Sequence, residues 1–182
     1  MSCEDIIEVM KIMYQKGLIT VLSGNASMRI SDNLFCITPS SVPKHKISQL
    51  AIVDLESLEW SGPRPSIEYR MHALIYRETE ARAVVHAHSP WTVLAAELGL
   101  ELDPSKYVES KYAIRKVGRV PPLEAGSWEL ARAVAEKAKE ADTIILEGHG
   151  AIAYGRDPWD ALNKIEALEY LAKLEVLKRE RK

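Results

Sequence analysis

Apolar residues return at helical spacing in five stretches of the chain, with shorter alternating or continuous apolar runs between them. Ile6, Ile7, Met10, Met13 and Tyr14 mark a helix from about Cys3 to Gln15, with Ser2 as its cap, Asp5 in its first turn and Gly17 as its terminator. Met71, Leu74 and Ile75 mark a second, capped by Ser66 and reaching about Glu78. A third starts at the cap and N1 proline of Ser89-Pro90, runs to about Leu98 and stops at Gly99. A fourth begins at Trp128, after Gly126-Ser127, and reaches about Glu140. The last follows the turn Gly155-Arg156-Asp157-Pro158 and runs from Trp159 to about Lys178, with Leu162, Ile165, Leu168, Leu171 and Ala172 on one side. It ends in Lys178, Arg179, Arg181 and Lys182, charges that suit a helix C-terminus.

The strands are shorter. The run Ser23 to Ile30 alternates in its second half, Ser31-Asp32-Asn33 is turn chemistry, and Leu34 to Thr38 returns as a hairpin partner. Pro39 to Ser48 reads as a loop in which His45 is solvated, Ala51 to Leu55 as a strand, and Ser61-Gly62-Pro63-Arg64-Pro65 as a breaker. Ala83 to His88 and Thr143 to Leu146 are strands; Gly148-His149-Gly150 interrupts the second, which resumes over Ala151 to Tyr154. Residues 100–126 are less regular, with Val108 and Ile114 as strand candidates. Tight hairpins mixed with helices predict an α/β protein: a three-layer α/β/α sandwich around a mostly antiparallel or mixed central sheet. No repeat or linker divides the chain, so residues 1–182 read as one domain.

Composition narrows the class. The 182 residues suffice for one sizeable core, and 47% hydrophobic residues with 27% charged and a net charge of −2 describe a soluble globular protein. There is no basic excess for a nucleic-acid partner and no apolar run that approaches a membrane span. The N-terminal residues lack a signal-peptide pattern, so a cytoplasmic chain is expected. There Cys3 and Cys36 are expected as free thiols, Cys36 as a small core residue. Plentiful Glu, Lys and Arg with scarce Asn and Gln lean toward a heat-adapted source.

The chemistry gathers around Val84-Val85-His86-Ala87-His88. Residues two apart on a strand share a face, so both imidazoles can reach one point. His149, between two glycines, offers a third nitrogen, although taken alone a glycine-rich turn that happens to hold a histidine is the plainer reading. Three protein ligands with one open position are the pattern of a catalytic zinc. Glu68, early in its helix, is a candidate general base; a carboxylate there also suits the helix dipole alone. His72, four residues on, is read as structural or as a neighbour of the metal ligands. Ser23-Gly24-Asn25, Thr38-Pro39-Ser40-Ser41 and the N–H groups at Ser66 are three small-residue settings able to hold an anion. None is a nucleotide-binding fingerprint.

Five short segments occur in one order: Ser23-Gly24-Asn25-Ala26-Ser27, Thr38-Pro39-Ser40-Ser41, Pro65 to His72, His86-Ala87-His88 and Glu147-Gly148-His149-Gly150. In this the chain resembles the class II aldolase/adducin family. The resemblance implies one Zn2+ per subunit held by His86, His88 and His149, with Glu68 as acid/base and as an added metal ligand when substrate is absent. It implies a phosphate cradle at Gly24, Asn25, Ser40, Ser41 and Ser66. A catalytic tyrosine from a neighbouring subunit would fall at Tyr107, with Tyr112 as the other candidate. The implied reaction is the reversible cleavage of a ketose 1-phosphate such as L-fuculose 1-phosphate to dihydroxyacetone phosphate and lactaldehyde. Zinc would serve as the Lewis acid, and the assembly would be a homotetramer. A sugar-phosphate dehydratase or 4-epimerase of the same family, or a non-catalytic adducin-like interaction module, are the alternatives. Two pairs depart from the family's pattern: Ser66-Ile67 where two serines are frequent, and Ser40-Ser41 where Thr-Gly is frequent.

Overall fold

Neighbouring residues of one strand serve two different cores. In the computed structural model, which describes residues 2–179, Val84 packs with helices on one side of a sheet and Val85 with helices on the other. Side chains alternate across a strand, so a strand that is apolar throughout must be covered on both faces. This holds for β5 (Ala83–Ala87) and β7 (Thr143–Leu146), in which every residue is buried.

These two strands sit in an eight-stranded sheet of order β4-β3-β2-β1-β5-β8-β7-β6. Here β1 is Asn25–Arg29, β2 Leu34–Ile37, β3 Ala51–Asp54, β4 Trp60–Ser61, β6 Val117–Val120 and β8 Gly150–Gly155. All neighbours pair antiparallel except β6 with β7. The Val85 face is covered by α1 (Glu4–Gln15), α3 (Pro90–Glu97) and α6 (Pro158–Arg179). The Val84 face is covered by α2 (Tyr69–Glu78) and α5 (Trp128–Ala138). A short helix, α4 (Val108–Ala113), packs on α6. This is the expected three-layer α/β/α arrangement around a mixed sheet. Among the described residues no helix is long and apolar enough to cross a membrane. Arg181 and Lys182, from the basic end of the last helix, lie outside the described residues.

Several helix ends differ from expectation, and at α3 a partner distant in sequence takes over the cap. Gly17 does terminate α1, with Gly17 N–H donating to Tyr14 and Leu18 N–H to Met13. Ser127 does cap α5, accepting from Leu130 N–H at 3.1 Å. Ser89 does not cap α3: its hydroxyl is buried without a partner. Glu169 of α6 accepts instead from the Trp91 and Thr92 N–H groups at 2.9 and 2.8 Å, a carboxylate at the positive end of a helix. Ser2 makes no side-chain cap on α1 either; its own N–H donates to Asp5. Ser66 lies before α2 and not at its cap, a position taken by Glu68.

Val108 is not a strand residue. It opens α4 and is 67% exposed. Ile114 follows that helix, and the strand of this region is β6, paired in parallel with buried β7. Val-Gly-Arg-Val is a weak strand signal by itself; the open edge of β7 selects it. His45 is half-buried and stacked on Tyr14 at 4.8 Å, so it is not simply solvated.

Cys3 and Cys36 form a disulfide, contrary to the free-thiol expectation. Docking α1 on the Val85 face brings its start above β2, where Cys36 points into the same core. Sequence separation concealed this contact. The bridge spans a separation of 33 residues, and a loop of that length is worth about 3–4 kcal/mol in the chain-entropy account. Cys3→Ser should lower the unfolding free energy by about that amount in a urea titration, with the oxidised parent as reference.

Candidate metal centre

The site is built at one end of β5. His86 is the fourth residue of that strand, and Asn25 of β1 is its direct cross-strand partner. His88 lies one residue past the strand end, where its N–H donates to the carbonyl of Leu18 and not to a sheet neighbour. His149 sits in the turn joining β7 to β8, its N–H donating to Leu146. Gly150 allows that turn to come so close: a Cβ there would fall 2.1 Å from the carbonyl oxygen of Ala87. Gly24 plays the same part on the other side. Its φ is +73°, and a Cβ would meet the Ile19 side chain at 2.5 Å and the His86 carbonyl at 3.0 Å. Glu68, at the start of α2, reaches in from the Val84 side.

These four side chains converge. The Nε2 atom of His86 lies 3.1 Å from that of His88, 3.3 Å from that of His149 and 3.2 Å from Glu68 Oε2. All four candidate ligand atoms lie within 4.8 Å of one another. Nδ1 of His86 lies 2.9 Å from the Ala151 carbonyl. A carbonyl only accepts, so Nδ1 carries the hydrogen and Nε2 presents its lone pair to the centre. Burial, aided by the neighbouring histidines, holds His88 well down, at about 3, and burial also lowers His149, so both imidazoles are neutral donors at physiological pH. The fit to a divalent metal is good. Two nitrogens bound at about 2.0–2.1 Å to a tetrahedral zinc stand about 3.3–3.4 Å apart, close to the separations seen here. One carboxylate oxygen, Glu68 Oε1, is buried, has no hydrogen-bond partner and lies 3.7 Å from His149. A buried, unpaired carboxylate oxygen is costly unless a cation or donor meets it.

Burial pushes the Glu68 carboxyl up, but His86, His149 and the Asn25 amide outweigh it, and the net direction is downward. Glu68 is therefore ionised. Asn25 donates to Glu68 Oε2 at 2.9 Å, and its own carbonyl oxygen is 2.6 Å from His72 Nε2.

The expected phosphate cradle is brought together in part. The loop at Thr38–Ser41 is joined to residues 64–66 by a bridge between Pro39 and Pro65, with Ser40 N–H donating to Arg64 and Ser66 N–H to Thr38. Thr38 pairs with Ala26 beside Asn25. The three segments are thus one surface. Several of their donors are already engaged, however. Ser40 also gives its hydroxyl to Arg64 at 3.4 Å, Ser66 Oγ accepts from Glu68 N–H, and the Asn25 amide is committed at both ends. Ser41, at φ 59°, is exposed. Spacing did not bring out Lys44. It is 2% exposed, donates to the Pro39 carbonyl at 3.0 Å, and among the described residues has no carboxylate within 4.0 Å. Burial lowers its pKa while the charge of Glu68 raises it. Its setting hid it, in a loop in which only His45 drew a reading, as a solvated residue.

Neither tyrosine joins the quartet within one chain. The Tyr107 hydroxyl donates to Glu175 of α6 at 2.8 Å, and Lys178 lies over its ring. Tyr112 is 83% exposed.

The family model for the class II aldolase and adducin N-terminal domain matches residues 4–176. The chain belongs to the class II aldolase and adducin family. A 3-oxo-tetronate 4-phosphate decarboxylase from Haemophilus influenzae is 30% identical over 94% of this chain and 85% of its own length. A methylthioribulose-1-phosphate dehydratase from Methylococcus capsulatus is 32% identical over 94% of this chain and 91% of its own. The crystal structure of L-fuculose-1-phosphate aldolase from Thermus thermophilus superposes with a TM-score of 0.85 at 31% identity, covering 97% of this chain and 93% of that one. This is a class II aldolase-superfamily chain of the lyase kind. Class II aldolases are metal-dependent, and the quartet of one glutamate and three histidines is able to hold the metal.

Proposed function

We propose that this chain is a zinc-dependent aldolase that reversibly cleaves a ketose 1-phosphate such as L-fuculose 1-phosphate to dihydroxyacetone phosphate and lactaldehyde. The observation that carries the reading is the quartet itself: three converging imidazoles and an ionised carboxylate with one oxygen that has no hydrogen-bond partner. A non-catalytic interaction module has no need of such a cluster. His86, His88 and His149 would hold the ion, with Glu68 as a further ligand in the absence of substrate. Zinc bound there supplies Lewis acidity toward the substrate carbonyl. Glu68 moves the proton at the carbon that becomes nucleophilic in condensation, and returns it in cleavage. Tyr107, reaching across the interface of a homotetramer, protonates the aldehyde oxygen. Glu175 orders that tyrosine in the free chain.

The phosphate would lie on the surface formed by Gly24, Asn25, Ser40, Ser41 and Ser66, with Lys44 supplying positive charge below it. A buried ammonium without a carboxylate partner suits an anion that arrives with substrate. A hydrogen bond to a charged group contributes about 1.5–3 kcal/mol, or about 10–100-fold in binding. Lys44→Met should therefore weaken competitive inhibition by inorganic phosphate by about 10–100-fold, with zinc content unchanged. Unaltered inhibition removes Lys44 from the cradle.

The reading as a whole is tested with zinc-loaded protein and a panel of phosphorylated substrates. The panel includes L-fuculose 1-phosphate, methylthioribulose 1-phosphate and 3-oxo-tetronate 4-phosphate. Dihydroxyacetone phosphate released from the first supports the aldolase. Water loss from the second or carbon dioxide from the third, with no cleavage of the first, replaces it with the chemistry of those relatives.

A further inference from the structure

We propose that His72 is a positioning residue that fixes the orientation of the Asn25 side-chain amide and, through it, the pose of Glu68. The inference rests on the role given to Glu68 above.

Five side chains form one line of hydrogen bonds. The Tyr76 hydroxyl lies 2.7 Å from the Ser27 hydroxyl, which lies 2.7 Å from His72 Nδ1. His72 Nε2 lies 2.6 Å from Asn25 Oδ1, and Asn25 Nδ2 lies 2.9 Å from Glu68 Oε2. All five residues are buried, none more than 5% exposed. Their spacing explains how they meet. Glu68, His72 and Tyr76 recur every four residues along one face of α2, and Asn25 and Ser27 are two apart on one face of β1.

Only one arrangement of hydrogens satisfies every member. An ionised carboxylate accepts and cannot donate, so the Asn25 NH2 group faces Glu68 and its oxygen faces His72. That oxygen needs a donor, so His72 carries its hydrogen on Nε2. A neutral imidazole has a single N–H, so Nδ1 accepts, and the Ser27 hydroxyl must donate to it. The Ser27 oxygen is then free to accept from Tyr76. Were His72 protonated on Nδ1 instead, its Nε2 lone pair would face the Asn25 oxygen. Turning the amide to relieve that would set two acceptors 2.9 Å apart at Glu68. The carboxylate would then swing away from the three histidines. The line therefore holds Oε2 in place and leaves Oε1, which has no hydrogen-bond partner, beside His149.

Two measurements test this. In metal-free protein, long-range 1H–15N correlation of the imidazoles should show His72 as the neutral Nε2–H tautomer throughout the neutral range. Burial depresses its pKa to about 3, so no protonated form intervenes. An Nδ1–H tautomer overturns the inference, whatever the enzyme turns over. In zinc-loaded protein, His72→Gln and His72→Asn are compared. A glutamine amide nitrogen stands about where Nε2 stood, and an asparagine cannot reach. His72→Asn should lower kcat by about 10–100-fold, the usual cost of losing a group that orients a ligand, with KM and zinc content near the parent's. His72→Gln should restore most of the loss. Equal kcat in the two variants overturns the positioning role. If the parent cleaves no ketose phosphate while His72 shows the Nε2–H tautomer, the functional reading fails and the positioning inference stands.

Discussion

Replacing Glu68 by glutamine is expected to cut turnover by about 10²–10⁴-fold, the usual contribution of a positioned general acid–base group, with zinc largely retained. Glutamine keeps the size of the side chain and can still accept from Asn25 Nδ2. Its other terminus, where Oε1 now stands without a hydrogen-bond partner, would be an NH2 group unable to take a proton. The three imidazoles remain to hold the ion. The competing account of Glu68 is that its charge merely suits the start of α2. That would be worth about 0.3–1 kcal/mol of stability with no effect on chemistry. Turnover and metal content measured in one protocol separate the two. Near-parental turnover in Glu68→Gln would end the assignment even if the histidine site proved correct.

His86→Ala and His149→Ala are expected to lose zinc and activity together. His86 has the larger effect, because its Nε2 is within 3.3 Å of His88, His149 and Glu68 alike. Its ring is held from behind by the Ala151 carbonyl. Ligand binding stabilises the state that binds, so stripping the metal with a chelator should lower the melting temperature of the parent. It should leave that of His86→Ala unchanged. Full metal content in alanine variants at all three histidines would show the ion to sit elsewhere.

The histidines were legible because their signal is local. A strand places i and i+2 on one face, and two glycines around His149 announce a turn that something approaches closely. Glu68 was legible from its own position only as a candidate base, and its place beside the histidines was implied by the family resemblance alone, since the breaker before it hides where α2 points. The Asn25 amide illustrates the limit. Its place in a small-residue run suggests a phosphate contact, whereas β1 pairs Asn25 with His86 and turns its side chain to Glu68 and His72. His72 read as structural or as a neighbour of the metal ligands, with no partner named; its partners, Asn25 and Ser27, lie on a strand more than forty residues away. Lys44 drew no reading of its own in a loop taken as solvated at His45, and it is buried.

By itself the sequence determined the class of fold, through tight hairpins interleaved with helices, and most of the helices, through their apolar periodicity. It also determined which residues are able to bind a metal. Those are properties of spacing within one element, and the backbone geometry of helix and strand converts spacing into direction without reference to anything distant. The tertiary structure decided the rest. It set which helix caps are used, as Glu169 shows at α3, and which weak run becomes a strand, as β7 selects β6. It brought Cys3 against Cys36, and it sorted polar groups into those that serve Glu68 and those that remain for a ligand. Each of these depends on a partner far away in the chain. Desolvation and hydrogen-bond satisfaction act only once that partner has arrived.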